Sequence, residues 1–187
     1  MNRLVLSMAL VLANVASFSA ETLRIDPSHT AVIFSWGHRG FSHPVARLEK
    51  VDGNVVLDRA DLTQSSVSVS LALDGLRTGS DALDRRLKGE EFFDVANHPE
   101  ITFRSTHIDM KGPNALTITG DLAVHGVTKS VALNAVINKI GADSKGQWTA
   151  GMDAEVMLRR SEFGVGKYVP MVTDEIKVHI TLEASQE

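Results

Sequence analysis

The sequence predicts an all-β protein in which about eight antiparallel strands close into a barrel, with a short helix and irregular loops over one end. Three observations predict it. Most of the chain beyond residue 22 falls into segments where apolar and polar residues alternate, the period of a strand with one buried face. These segments are joined by short, turn-like connections and not by helical crossovers, which favours antiparallel pairing. Residues 87–105 change period in the middle: Leu83 and Leu87 sit four apart, Ile101 and Phe103 alternate with Thr102 and Arg104, and Phe92-Phe93 lies between them. That pair is too apolar for a free surface loop, and the opening of a barrel gives it something to press against. A barrel of this size has an interior that side chains fill or that holds one small ligand. A two-sheet sandwich is the competing architecture.

The elements follow in order. Residues 23–26 alternate, and Pro27-Ser28 breaks them. Residues 29–38 read as a strand with Val32, Phe34 and Trp36 on one face and Ala31, Ile33 and Ser35 on the other. Gly37 and residues 40–44 form a turn or loop, and a second strand over 45–57 is interrupted by a bulge or tight turn at Asp52-Gly53-Asn54. In residues 65–76, Val67, Val69, Leu71 and Leu73 share a face opposite Ser66, Ser68 and Ser70. A helix follows, with Ser80 as N-cap, Asp81 in its first turn, Arg85, Arg86 and Lys88 near its end and Gly89 closing it. Beyond residue 105, Leu116, Ile118, Gly120, Leu122 and Val124 share a face, His125-Gly126 marks a turn, and Val131, Leu133, Ala135 and Ile137 share the next face. Residues 141–146 are a polar loop. Alternate residues from Trp148 through Met152 to Leu158 line another strand, and residues 161–173 are irregular. Ile176, Val178, Ile180 and Leu182 line the last strand, with Lys177, His179 and Thr181 opposite.

Residues 1–20 read as an export signal, with Arg3, an apolar run over 4–15 and small residues ahead of a cut after Ser19 or Ala20. The run is too short to span a membrane. Residues 21–187 read as one domain without repeats or linkers, and the expected location is the periplasm. The chain has no cysteine, so it has no disulfide and no lipoprotein anchor, and its core must supply its stability. Against 19 Lys and Arg stand 23 Asp and Glu, a formal net charge of −4. That balance argues against nucleic acid as a partner and against an electrostatic hold on anionic membranes.

No enzyme signature is present: no thiol, no Gly-x-Ser-x-Gly, no phosphate-binding loop and no His-Glu-x-x-His. Catalytic and metal-ligating residues are therefore expected to be none. Of the seven histidines, His29, His38 and His43 lie near one loop, but an extended strand separates His29 from His38 by ~3.3 Å per residue, and turn capping is the simpler role. Asp26 with His29 reads as a turn that satisfies its own backbone rather than half of an acid/base pair. Asp84, Arg85 and Arg86 read as a solvated helix face, and Arg160 as the partner of a carboxylate such as Asp94 or Glu162. What remains is apolar surface in excess. Phe34, Trp36, Phe92, Phe93, Phe103, Trp148, Met152, Phe163 and Tyr168, with Leu71, Leu122, Val131 and Leu133, are expected on the inward face, where core and ligand-contacting surface coincide.

The order of motifs resembles the YceI-like family of exported, lipocalin-like polyisoprenoid-binding proteins. The resemblance runs from Ile25-Asp26-Pro27-Ser28-His29-Thr30 and His38-x-Gly40-Phe41-Ser42, through Thr78-Gly79, Asp84 and Leu87, to Phe92-Phe93-Asp94-Val95 and His98-Pro99-x-Ile101-Thr102-Phe103. It closes with Gly120-Asp121-Leu122-x-Val124-His125-Gly126-Val127-Thr128-Lys129 and Arg160-Ser161-Glu162-Phe163-Gly164. It implies an eight-stranded antiparallel barrel related to lipocalins, with a helix-bearing segment after the third or fourth strand. It also implies an apolar channel for an isoprenoid or similar amphiphile: a quinone tail, a polyprenyl phosphate, or a fatty acid or amide. It implies no catalysis, no cofactor beyond a bound lipid and no stable membrane anchor; the chain is expected as a monomer or homodimer. Two departures stand out. Ala46 or Arg47 replaces a frequent glycine, which bears on the second strand, and Arg86 replaces a frequent histidine, which bears on the head group accepted. The alternatives are a histidine-based metal- or haem-associated redox partner, a filled-barrel structural stress protein, and a hydrolase using His29 or His98.

Overall fold

The computed structural model describes residues 20–186; most of the expected export signal lies outside them. Nine strands form one sheet: β1 (Glu21–Ile25), β2 (Ala31–His38), β3 (Val45–Leu57), β4 (Ser66–Arg77), β5 (Glu100–Met110), β6 (Ala115–Val124), β7 (Val127–Ala142), β8 (Trp148–Arg159) and β9 (Val172–Ser185). Every pairing is antiparallel, and β3 pairs with β4 to close the ring. Both β1 and β2 pair with β3 and with β9, so the two short strands share one position and the nine segments make an eight-position barrel. The break between them is chemical. Pro27 has no N–H to offer a ladder, and Asp26 turns back on its neighbours, accepting from the Ser28 N–H at 2.7 Å and meeting His29 Nδ1 at 2.7 Å.

Two local expectations are corrected. The strand over 45–57 runs without a turn at 52–54. Gly53 marks close passage of β4 instead: a Cβ there would lie 2.1 Å from the Ser68 carbonyl oxygen. The irregularity falls earlier, between Leu48 and Lys50. Asp84, expected on a solvated face of α1 (Asp81–Lys88), is buried. Its carboxylate accepts from the Thr78 N–H at 2.7 Å and the Thr78 hydroxyl at 2.6 Å, which holds its pKa below the usual aspartate range.

The direction of the strands sorts the connections. The loops β2–β3, β4–β5, β6–β7 and β8–β9 all lie at one end, here called the rim, together with α1. The β6–β7 turn is a two-residue hairpin with positive φ at His125 (51°) and Gly126 (75°), the backbone that matches the twist of paired strands. The remaining loops and β1 lie at the opposite end, the floor, where Leu23, Ile25, Val55, Leu57 and Ala184 are almost fully buried.

Candidate functional site

The period-2 patterning of each strand aims its apolar residues inward; they pack closely at the floor, where a pocket of about 30 Å³ remains, and leave the barrel above it hollow. The unfilled part is a cavity of about 480 Å³ that opens at the rim. Phe34 and Trp36 of β2 form one wall, with ring centroids 5.8 Å apart. Leu71 of β4, Phe103 of β5, Leu122 of β6, Val131 and Leu133 of β7 and Met152 of β8 complete the wall. The Phe92-Phe93 pair closes over it as the sequence predicts. Phe93 meets Phe34 edge-on at 6.2 Å, and Phe92 lies 6.1 Å from the Tyr168 ring. Phe163, from the 3-10 turn Arg160–Phe163, and Tyr168 enter from the β8–β9 loop.

Every residue expected in the channel borders this cavity except Trp148, which is corrected. Alternation places Trp148 on the inward face of β8, but at the strand's first residue and therefore at the floor. There the Arg59 guanidinium lies 3.9 Å from its ring centroid. Together they pack the end of the barrel farthest from the opening.

The charged side chains that border the cavity are Arg39, Arg86, Arg159 and Arg160, with His38 beside them; among the described residues no Asp or Glu lines it. Arg159 also lies 3.7 Å from Glu175, just outside the cavity. Sequence reading did not single out Arg39 and Arg159; their signal is position, since both stand at rim ends of strands. Arg86 lies over the Tyr168 ring at 5.0 Å and 3.9 Å from Glu91. Glu91 also accepts from the Tyr168 hydroxyl at 2.9 Å and faces Lys167 at 3.3 Å, and the Tyr168 bond leads in lowering its pKa.

Arg160 is also corrected. It bonds neither Asp94 nor Glu162. Its guanidinium donates to the carbonyls of Thr173 (2.8 Å), Val165 (2.7 Å) and Val172 (3.1 Å), tying the irregular loop to the start of β9. The nearby Asp174 accepts from the Ser161 N–H at 2.8 Å and its hydroxyl at 2.7 Å, and these bonds, with Arg160 close by, lower the Asp174 pKa. Arg160 is thus a loop clamp at the mouth.

His29, His38 and His43 do not converge. Two other groups bring possible metal ligands within 4.8 Å of one another: Asp26, His29 and Glu183 at the floor, and Asp94, His98 and His125 at the rim. In the first, the Asp26 contact raises the His29 pKa.

The family model described as a YceI-like domain matches residues 23–184. A UPF0312 protein of Pseudomonas syringae pv. tomato is 30% identical over 184 residues, covering 98% of this chain and 95% of that protein. Protein YceI of Salmonella arizonae is 30% identical over 188 residues, covering 100% and 98% respectively. Among solved structures, Burkholderia cenocepacia BcnA superposes with a TM-score of 0.78 at 24% identity, covering 86% of this chain and 99% of that one. A polyisoprenoid binding domain from Saccharophagus degradans superposes with a TM-score of 0.67 at 11% identity, covering 90% and 100%.

Proposed function

The chain belongs to the YceI-like family, and we propose that it is an exported, periplasmic carrier that holds one long-tailed amphiphile, an isoprenoid or acyl lipid, without transforming it. The observation that carries this reading is the cavity of about 480 Å³, walled by aromatic and aliphatic side chains and bordered at the rim by arginines. A tail burying a few hundred Å² of apolar surface gains several kcal/mol at ~25 cal/mol per Å², before the cost of ordering it. Recognition of the tail needs no charge, which agrees with an acidic protein. The arginine rim favours an anionic head, a phosphate or carboxylate, because guanidinium donors match planar or tetrahedral oxyanions. Export is supported by the pattern of residues 1–20. A binding role without turnover is what the YceI-like family match suggests.

Native mass spectrometry of the mature protein from its own periplasm, followed by organic extraction, tests the reading. A co-purifying isoprenoid or acyl compound is expected. An apo mass, with no uptake of offered lipids, would overturn it. Exchanging Arg86→Glu should weaken a fatty acid more than its neutral amide; equal weakening of both would refute the role of the rim in reading charge.

A further inference from the structure

Asp94, His98 and His125 stand together outside the cavity, on its rim. Asp94 and His98 belong to the loop after α1, and His125 to the β6–β7 hairpin; neither loop is bonded to the other by any hydrogen bond of these side chains. The two imidazoles meet edge-on with centroids 4.6 Å apart. Both are half-buried, yet no ring nitrogen of either has a hydrogen-bond partner among the described residues. The Asp94 carboxylate accepts from Asn97 Nδ2 at 2.8 Å through Oδ2, and Oδ1 has no donor among the described residues. These atoms keep access to solvent, so no protein hydrogen bond has to break for the three side chains to converge on one ion.

The backbone points the same way. Asp94 (φ 44°) and His125 (φ 51°) both adopt the left-handed conformation. Aspartate and histidine, with asparagine, are the side-chain-bearing residues that adopt it most readily, so both turns carry a ligand side chain at little backbone cost. Glycines make the room: a Cβ on Gly126 would lie 2.9 Å from His98 Cε1, and one on Gly164 would lie 3.2 Å from His125 Nδ1.

We propose that Asp94, His98 and His125 bind one divalent transition-metal ion of the zinc class and that the ion staples the α1–β5 loop to the β6–β7 hairpin. Two imidazoles and a carboxylate are borderline ligands that suit Zn²⁺, Co²⁺, Ni²⁺ or Cu²⁺ over Ca²⁺ or Mg²⁺. Donors around a tetrahedral ion at ~2.0–2.1 Å lie roughly 3.4 Å apart. The three donors now lie within 4.8 Å of one another, so modest side-chain rotation completes the set. A fourth position is left for water. Phe93, Val124 and Phe163, each adjacent in sequence to Asp94, His125 or Gly164, border the cavity, so the staple stiffens the cavity's mouth from outside.

The test uses the mature protein without an affinity tag, stripped with chelator. Zn²⁺ is titrated by calorimetry, Co²⁺ serves as a visible-absorption probe, and Tm is measured with and without Zn²⁺. The variants are His125→Asn, which keeps an Asn-Gly hairpin turn, and Asp94→Asn, which tolerates the left-handed backbone. The expected result is one Zn²⁺ per chain, a Zn²⁺-dependent rise in Tm, and tetrahedral Co²⁺ bands. Each variant should fold without metal, lose the Tm rise and bind Zn²⁺ at least ~10-fold more weakly, since loss of a second-layer partner alone costs that much. Two results would overturn the proposal. One is no stoichiometric uptake at sub-millimolar Zn²⁺. The other is uptake unchanged in both variants, which would put the ion elsewhere, as on Asp26, His29 and Glu183. No lipid enters the experiment, so its outcome is independent of the carrier reading.

Discussion

Val156→Phe separates a hollow barrel from a filled one by the sign of its effect on stability. Val156 faces inward from the middle of β8, is half-buried and borders the cavity. Phenylalanine carries four more side-chain carbons than valine. In a filled interior they would force neighbours off their rotamers at a cost of about 1–3 kcal/mol, a fall in Tm of roughly 2–12 °C for a chain of this length. With about 480 Å³ free, the ring has somewhere to go, and the ligand-free protein should be as stable as wild type or more so. The ring then occupies space a tail would use. At ~0.8 kcal/mol per buried methylene the displaced contacts are worth about 2–3 kcal/mol, a roughly 30- to 150-fold loss of affinity. Urea unfolding of delipidated protein gives the first quantity. Quenching of Trp36 by a lipid probe gives the second, because Trp36 lines the cavity and the only other tryptophan, Trp148, packs at the floor. A destabilised variant with unchanged lipid affinity would refute the reasoning.

Three further outcomes are expected. Arg160→Met strips the donors from the carbonyls of Val165, Val172 and Thr173; it should cost about 2–4 kcal/mol in urea unfolding, and Arg160→Lys should not restore it because one ammonium cannot span the three. Gly120→Ala places a Cβ 2.5 Å from both the Arg104 carbonyl and the tip of Phe103; a loss of about 1–3 kcal/mol is expected by thermal melting, and wild-type Tm would contradict the packing. Asp174 has a lowered pKa in the folded protein, led by the Ser161 hydroxyl. Its contribution to stability is therefore complete above the ordinary aspartate value of ~3.9 and is lost as pH falls through the lower folded value. A pH series of unfolding free energies should show a weaker acid-side slope in Asp174→Asn than in wild type; identical slopes would sink the assignment.

The strands were legible because each has one wet face. In β6 and β9 the alternation of Leu116, Ile118 and Leu122, and of Ile176, Val178 and Ile180, leaves no other period that buries them, and His125-Gly126 names its own turn. Alternation reports a side chain's face but not its height in the barrel. Alternation therefore puts Trp148 in the channel although it stands at the floor: its height depends on the stagger of the strands, which no local pattern carries. Asp84 differs. A carboxylate reads as solvent-facing until its donors are known, and here they come from Thr78, six residues earlier, where the turn into α1 folds back on the helix. The arginine rim was hidden likewise, since Arg39, Arg86 and Arg159 lie far apart in sequence and meet only because successive strands return to the same end. The Asp94, His98 and His125 group has the same origin; its members stand in separate motifs that only the fold brings together.

The rim opening has a kinetic consequence. An amphiphile held as proposed and entering there goes in tail first and leaves by retracing its path. The bordering residues of β8 run from Met152 to Arg159, about 23 Å along the strand and roughly 18 Å in depth after allowing for tilt. Within that depth each added carbon lengthens the withdrawal, so residence time should grow with tail length while the arrival rate stays nearly constant. Beyond it, extra carbons remain outside and residence time should level off. The barrel then acts as a ruler, sorting lipids by how long they stay more than by how fast they come.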